Sequence, residues 1–221
     1  MSRIIDLTLP LKSGMRGVSF EPARVLEKDG WNATTIHLYS HAGTHMDAPS
    51  HFGGNQTIDK IEVGRCIGPA WIVDLSGAKP HSLIDVEHLG HVAEKAQQGD
   101  SLLIRTDWSR NLGKPKYREA LPRVSPALAR WCAKNNIAML GLEQPAVADV
   151  NNIEELTAVH RILLEAGVVI VEGLTNLDAI TKEKVTFIAL PLKLAGGDGA
   201  RLGLLLLRMI SATVRQSRRC R

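Results

Sequence analysis

The second half of the chain alternates short apolar runs with helix signals, and this alternation limits the possible folds more than any other feature. The predicted strands cover residues 66–75, 101–106, 137–142, 168–171 and 185–191, and the predicted helices cover residues 81–97, 125–135 and 152–166. Two of these helices have clear start signals: Ser125 is followed by Pro126, and Asn152 is followed three residues later by Glu155. Strands that alternate with helices imply an α/β fold built on a parallel or mixed sheet.

The first half of the chain has a different pattern. Its predicted strands, residues 3–9 and 33–40, have no helix between them, and the loop of residues 11–30 contains at most an edge strand at residues 23–26. These early strands suggest a separate β layer. The length of 221 residues, without an internal repeat or a Gly/Ser-rich linker, favours a single domain.

The formal net charge of +4 comes from one end of the chain. Residues 201–221 hold six arginines and no acidic residue, so the rest of the chain carries a slight excess of acidic groups. Because nucleic-acid binding needs a basic face on the fold itself, we expect no nucleic-acid partner. Three scattered cysteines, no apolar leader and no apolar run of about 20 residues predict a cytoplasmic protein without membrane contact.

Histidines are concentrated in one short stretch that also contains an aspartate: His41, His45, Asp47 and His51. Neutral imidazole and carboxylate groups are preferred ligands of zinc, and carboxylates also suit manganese. Their clustering directly after a predicted strand favours a metal site over a polar surface loop. The spacing leaves the local structure open. A helical turn would place His41 and His45 on one face, and an irregular segment could also turn all four side chains inward.

A second pair of candidate ligands lies far along the chain. His160 falls on the partly apolar face of the predicted helix over residues 152–166, and this face points inward. Glu172 follows the apolar run of residues 168–171, at the carboxyl end of a predicted strand, where ligand sites in open α/β sheets collect. A carboxylate in such a place is costly unless it is paired or bound to metal. The connection from helix to strand could therefore bring His160 and Glu172 together.

The run from His41 to Phe52 resembles the H-x-G-T-H-x-D-x-P-x-H signature of the cyclase family, which includes bacterial kynurenine formamidase (arylformamidase) and isatin hydrolase. Further similarity in residues 102–106, 172–178 and 189–193 extends the resemblance over roughly residues 3–199. The resemblance implies a single α/β domain with a mixed sheet, in the swivelling β/β/α architecture of cyclases. It also implies a homo-oligomer, either a dimer or a tetramer.

The resemblance assigns roles to the candidate residues. In formamidase-like members two zinc ions are implied, with the ligands His41, His45 and Asp47 for the first and Asp47, His160 and Glu172 for the second. Members with a single metal, often manganese (Mn2+) rather than zinc (Zn2+), keep the first triad. The implied acid/base is His51.

Two regions depart from the family pattern. The early loop of residues 12–20 lacks the tryptophan that stacks on the substrate of formamidase-like members, which leaves both the substrate and a substitute role for Phe20 open. Residues 200–221 are rich in leucine and arginine where the family ends in a short β-rich segment. We therefore predict a catalytic domain over residues 1–199 and an atypical basic tail over residues 200–221.

The sequence thus predicts a metal-dependent hydrolase of a small-molecule substrate, either an amide such as the arylformamide N-formylkynurenine or a lactam. One alternative is a ring-closing or dehydrating lyase with a single manganese site. Another is a non-catalytic metal-binding protein. The spare His51 argues against the latter, because structural zinc sites are usually closed and need no further histidine.

Overall fold

Strands and short helices follow one another in the computed structural model, which describes residues 4–208. In chain order they are β1 (Val18–Arg24), α1 (Leu26–Asp29), β2 (Ala33–Leu38), β3 (His45–Asp47), β4 (Ile67–Asp74), β5 (Leu83–Ile84), α2 (Val92–Lys95), β6 (Ser101–Arg105), α3 (Lys116–Glu119), β7 (Arg123–Val124), α4 (Pro126–Lys134), β8 (Met139–Leu142), α5 (Ile153–Glu165), β9 (Val169–Glu172), β10 (Lys184–Pro191) and β11 (Gly199–Arg208). Short 3-10 turns join several of these elements.

Seven of the strands close into a barrel, in the order β10-β11-β3-β9-β8-β6-β4. Strands β4, β6, β8 and β9 run parallel to one another, and the other neighbours in the barrel are antiparallel. The predicted mixed sheet of an α/β fold is therefore confirmed. Its closure was not predicted, because it depends on the pairing of β4 with β10, which lie far apart in the chain.

Alternate residues of the barrel strands supply two hydrophobic cores. Leu103, Val171 and Phe187 belong to a core inside the barrel. Leu102 and Ile170 belong to a second core, which the strands share with buried residues of α4 and α5. Because both faces of the parallel strands are covered, these strands appear in the sequence as continuous apolar runs.

Helices α4 and α5 begin where the sequence predicts them. The Ser125 hydroxyl accepts a hydrogen bond from Leu128 N at 2.9 Å, and Asn152 Oδ1 accepts one from Glu155 N at 3.1 Å. These side chains satisfy backbone N–H groups that have no partner within the first turn of a helix. The position of α5 matters most for the site, since its buried face carries His160.

The first half of the chain forms the separate β layer that its pattern suggests, but with different bounds. Strands β1 and β2 pair as an antiparallel hairpin outside the barrel. Residues 4–9 contain one isolated bridge residue, Asp6, rather than the predicted strand. Ile5 and Leu7 are nevertheless buried in the core inside the barrel, which explains their alternating apolar pattern.

The predicted helix over residues 81–97 is wrong. Strand β5 lies at its start and pairs in parallel with β7. Asp85 then caps a 3-10 turn, and Gly90 ends that turn with a φ of 53° and a ψ of −133°. Pairing with a strand about forty residues away thus overrides the local helix pattern, and within this range the α-helix is limited to the four residues of α2.

The end of the described chain also differs from the simple division into domain and tail. Strand β11 begins at Gly199 and pairs with both β3 and β10, so the sheet continues across the boundary predicted after residue 199. The remainder of the predicted tail, residues 209–221, lies outside the described residues. Within residues 4–208, no helix has the length and apolar character needed to cross a membrane.

Candidate metal centre

Strand β3 places two of the predicted ligands on one side of the sheet. Because side chains alternate along a strand, His45 and Asp47 share a face, while Met46 between them packs in the core inside the barrel. The residues between β2 and β3 are irregular rather than helical. Of the two arrangements that the spacing left open, the irregular one is observed.

The neighbouring strand β9 brings Glu172 to the same place. Glu172 is the register partner of His45, and its Oε2 lies 3.2 Å from His45 Nε2. The other carboxylate oxygen, Oε1, accepts a hydrogen bond from Val147 N at 2.7 Å. His45, Asp47 and Glu172 are all buried, so the pairing of two strands holds three ionisable groups together away from solvent.

Helix α5 contributes His160 from the side that faces the sheet. The ring Nδ1 donates a hydrogen bond to Leu156 O at 2.7 Å, which leaves Nε2 free to accept or to bind a cation. This Nε2 lies 3.6 Å from Asp47 Oδ2 and 3.8 Å from Glu172 Oε1. The structure therefore brings His160 and Glu172 together, as the connection from helix to strand suggested.

His41 lies between two carboxylates at the edge of the cluster. Its Nδ1 is 2.8 Å from Asp47 Oδ1, and its Nε2 is 3.2 Å from Asp198 Oδ2. His51, in the 3-10 turn after β3, stacks on the His41 ring with the centroids 3.9 Å apart. His51 Nδ1 lies 3.7 Å from Asp198 Oδ2.

The donor atoms of this cluster fit a divalent cation. The ligand atoms of His41, His45 and Asp47 lie within 4.8 Å of one another, and so do those of Asp47, His51 and His160. Imidazole and carboxylate donors together are typical of zinc and manganese sites. Asp47 Oδ2 is buried and has no hydrogen-bond partner among the described residues. A buried polar atom left without a partner is costly, and a bound cation would satisfy it.

The electrostatics of the cluster favour positive charge. Burial lowers the pKa of His41, but the hydrogen bond and the charge of Asp47 outweigh it and raise this pKa to about 9. Burial raises the pKa of Asp47, yet the nearby imidazole of His160, 3.6 Å away, and the hydrogen bond with His41 hold it well below its usual range. At His51, by contrast, burial lowers the pKa, and the negative charge of Asp47 does not offset it. A neutral imidazole thus lies beside a cluster that attracts a cation.

Two glycines let the backbone approach the cluster closely. A Cβ atom at Gly199 would lie 2.6 Å from His41 Cε1 and 2.9 Å from Met46 O. Gly173 has a φ of +68°, and a Cβ there would lie 2.5 Å from Gly43 O. A side chain at either position would displace His41 or the backbone that precedes β3.

The cluster lines a cavity of about 330 Å³, which falls within the range typical of small-molecule sites. Around the histidines, its walls combine aromatic, aliphatic and cationic side chains, among them Arg16, Tyr39, Phe52, Arg118, Ala146 and Leu156. Phe20 instead lines a separate surface depression on the β1–β2 hairpin.

Three residues near the cluster were not predicted as part of the site. Asp198 reaches it from the turn between β10 and β11, and the flanking Gly197 and Gly199 are its one signal in the sequence, since glycine next to a strand often marks a close backbone approach. Arg16 lies in a loop and Arg118 in the four-residue helix α3. Neither arginine belongs to a recognisable pattern.

Comparison with known proteins shows the family to which the chain belongs. Residues 5–149 match the family model described as "Putative cyclase", which is more than half of the chain. The chain belongs to the cyclase family.

Individual relatives of this cyclase-family chain are hydrolases. A kynurenine formamidase from Bacillus cereus is 30% identical over 211 residues, which cover 90% of this chain and 94% of the relative. A kynurenine formamidase from Salinibacter ruber is 29% identical over 170 residues, or 76% of each protein. Isatin hydrolase A from Labrenzia aggregata, solved with benzyl benzoate bound, has a TM-score of 0.85 and 26% identity over 95% of this chain and 94% of that one.

A further solved structure, described as a potential metal-dependent hydrolase with cyclase activity, has a TM-score of 0.78 and 26% identity. It covers 96% of this chain and 100% of that one. Together with the cluster of imidazoles and carboxylates, these relatives identify the chain as a metal-dependent hydrolase of the cyclase family.

Proposed function

We propose that the chain hydrolyses a C–N bond in a small aryl amide, with arylformamides such as N-formylkynurenine as the first candidates. The observation that carries this proposal is the buried cluster of imidazoles and carboxylates that lines a cavity of about 330 Å³. A cavity of this size suits a substrate with one aromatic ring. The formamidases from Bacillus cereus and Salinibacter ruber support the choice of an arylformamide.

The proposed ligands fall into two sets that share an aspartate: His41, His45 and Asp47 for one zinc or manganese ion, and Asp47, His160 and Glu172 where a second ion binds. Asp47 suits both sets. Its Oδ1 lies near His41 and His45, and its Oδ2 lies near His160. When bound, such a cation supplies a Lewis acid for the substrate carbonyl and lowers the pKa of water towards about 7.

His51 is the proposed acid/base of the reaction. It lines the cavity next to the cluster, and its ring stacks on His41. A neutral imidazole accepts a proton from water and can pass that proton to the nitrogen of the departing amine. The carboxylate of Asp198, 3.7 Å from His51 Nδ1, stabilises the ring by its charge while the ring is protonated.

Two aromatic rings flank the cluster and offer faces for an aryl substrate. Phe52 stacks on His160 with the centroids 4.3 Å apart, and the Tyr39 ring lies 5.4 Å from His41. Both rings line the cavity. We propose that they take the place of the tryptophan that the early loop lacks, because Phe20 does not line this cavity.

Hydrolysis of a lactam such as isatin is the second candidate function. The likeness to isatin hydrolase A, which extends over 95% of this chain, favours it. An arylformamide and a fused aryl lactam both present a carbonyl bonded to an aryl nitrogen. The same ligands and the same acid/base would therefore serve either reaction.

Metal analysis followed by assays on N-formylkynurenine, formanilide and isatin tests the proposal. We expect at least one ion per chain and hydrolysis of one of these substrates. A chelator should abolish the activity, and added zinc or manganese should restore it. Activity in metal-free protein, or stoichiometric metal without hydrolysis of any substrate, would contradict the proposal. Analysis of the products separates hydrolysis from a ring-closing or dehydrating reaction.

We also propose that the chain forms a homo-oligomer, a dimer or a tetramer, through the β1–β2 hairpin. Phe20 and Ile36 are register partners on this hairpin and are 36% and 57% exposed, and Trp31, in the connection between its strands, is 57% exposed. Large apolar side chains grouped on one surface are typical of a protein interface. Light scattering on the purified protein measures the mass, and a monomer at working concentration would refute the idea.

A cytoplasmic location stays a prediction.

A further inference from the structure

Two arginines line the cavity without belonging to the proposed metal ligands. Arg16 precedes β1, and Arg118 lies in α3. Both line the cavity that contains His51 and Glu172, and both also line an adjoining depression next to His41. The guanidinium of Arg16 lies 5.8 Å above the Tyr39 ring, which favours its present position through a cation–π contact.

Among the described residues, neither arginine has a counter-ion at contact distance. Within residues 4–208, no carboxylate oxygen lies within 4.0 Å of the Arg16 or Arg118 guanidinium. Arg118 is half-buried, and both its burial and the like charge of Arg16 lower its pKa. The charge of Glu172 acts on Arg118 in the opposite direction, but Glu172 is occupied by His45 and Val147.

The carboxylates of the cluster do not compensate the positive charges of Arg16 and Arg118. A divalent cation in the site would be balanced by the two buried carboxylates, Asp47 and Glu172, and the third carboxylate, Asp198, lies against His41 and His51. The guanidinium of the half-buried Arg118 and that of the exposed Arg16 then remain as like charges that line the same cavity. Such an arrangement is unfavourable in the free protein and becomes favourable once an anion binds between or beside them.

We propose that Arg118, assisted by Arg16, binds a carboxylate group of the substrate. The inference rests on the proposed function, since it names a substrate class for the same cavity: aryl amides that carry a carboxylate. A guanidinium presents donors in a planar fork that matches both carboxylate oxygens. The arginines act on binding and orientation of the substrate, and the reacting C–N bond lies at the histidine cluster.

Matched substrates test the proposal directly. Formanilide is the neutral substrate, and its 2-, 3- and 4-carboxy derivatives supply the anion at three positions on the ring. In the metal-loaded wild type we expect kcat/KM for the best of these isomers to exceed that for formanilide by about tenfold or more. In Arg118→Met the ratio of kcat/KM for that isomer to kcat/KM for formanilide should fall by about 10- to 100-fold, through a higher KM for the carboxylated substrate.

Two further variants control for folding and for net charge. Lys116→Met removes the same charge from the exposed start of α3, outside the cavity, and should leave all four substrates unaffected. Arg118→Lys keeps the charge but loses the planar fork, so a partial loss on the carboxylated substrate is expected. Equal losses on formanilide and its carboxy derivatives, or a wild type that prefers formanilide, would overturn the proposal.

Binding without turnover separates this inference from the proposed function. Calorimetric titration of the metal-loaded protein with benzoate should show at least tenfold weaker binding to Arg118→Met than to the wild type. If the wild type hydrolyses formanilide but benzoate binds both proteins equally, the carboxylate subsite is absent and the hydrolase assignment stands. If benzoate discriminates between them while no amide is hydrolysed, the subsite stands and the proposed reaction fails.

Discussion

The cluster end of the cavity and its arginine-bearing wall are built from different kinds of elements. His45, Asp47 and Glu172 lie on β3 and β9, which pair inside a closed barrel, and all three side chains are buried. Arg16 and Arg118 come instead from a loop and a four-residue helix. The proposed metal ligands are held in place by strand pairing and packing, whereas the arginines of the wall lie on short, irregular segments. We expect substitutions at the cluster to remove the reaction, and substitutions on the wall to change which substrate binds.

Asp47→Asn tests the cluster most severely. The change keeps the size of the side chain but removes the carboxylate that stands in both proposed ligand sets. We expect the purified variant to lose its metal, and its hydrolytic activity to fall to the level of a blank. Elemental analysis and an arylformamide or isatin assay measure the two effects. A variant that retains stoichiometric metal would remove Asp47 from the ligand set.

The neighbouring residue on the same strand supplies a control. Met46 points to the opposite face of β3 and is fully buried in the core inside the barrel. Met46→Ala should lower the free energy of unfolding by about 2–5 kcal/mol while the protein still binds its ion. If Asp47→Asn and Met46→Ala both lose metal and stability, the two faces of β3 do not have separate roles in metal binding and in packing.

His51→Ala should retain metal and lose most of its turnover. General acid–base catalysis is worth about 10²–10⁴-fold, and kcat should fall by that factor. His37→Ala is the matched control, because His37 is an exposed histidine on β2 that does not line the cavity. His51 also belongs to two groups whose geometry could hold an ion, so a joint loss of metal and activity would reassign it as a ligand.

The cluster could be predicted to a large extent because its chemistry is local in the sequence. His41, His45, Asp47 and His51 lie within eleven residues, and any fold keeps such residues near one another. Glu172 could be predicted for a related reason. It directly follows an apolar strand, and burying a carboxylate there costs free energy unless the group is paired or bound to metal. The same holds for the caps of α4 and α5, where each side chain bonds to a backbone group three residues away.

Features that depend on distant pairing could not be predicted in this way. Asp198 joins the cluster because β11 pairs with β3, more than a hundred residues earlier in the chain. Closure of the barrel by β10 and the pairing of β5 with β7 are of the same kind. Arg118 shows the limit most clearly, because no local pattern distinguishes it from the exposed Lys116 on the same short helix.

Gly199→Ala tests whether close backbone approach supports the cluster. A Cβ atom at this position would lie 2.6 Å from His41 Cε1, and the Met46 backbone at 2.9 Å prevents an easy shift. We expect His41 to be displaced and metal affinity to fall about 10- to 100-fold, as it does for other changes that misplace a ligand. Competition with a chelator of known affinity measures the effect.

Gly64→Ala is the matched change without a steric consequence, because within residues 4–208 no atom beyond the adjoining residues lies within 4 Å of the added Cβ. Its metal affinity should equal that of the wild type. An unchanged affinity in Gly199→Ala as well would mean that the His41 ring can move without loss to the site, and His41 would then be dispensable as a ligand.

Phe52→Ala removes one of the two aromatic rings beside the cluster. Phe52 stacks on His160 and lines the cavity, so its loss removes an aromatic face from the substrate and from the histidine. Aromatic stacking contributes about 0.5–1.5 kcal/mol, which corresponds to a rise in KM of roughly 2- to 10-fold. We expect kcat to change less than KM. A fall in kcat as large as that of His51→Ala would place Phe52 in the support of the catalytic groups rather than in substrate binding.

Phe20→Ala should have the smallest effect, and for that reason it tests the hairpin most sharply. Phe20 occupies β1 and lines a separate depression within its own chain, so it cannot reach a substrate in the cavity of that chain. We expect kcat/KM to stay within roughly twofold of the wild type. A large loss would mean that the hairpin of one copy extends into the cavity of another. In that case Phe20→Ala mixed with a Phe52→Ala variant would recover activity in hetero-oligomers, because each copy supplies the ring that the other lacks.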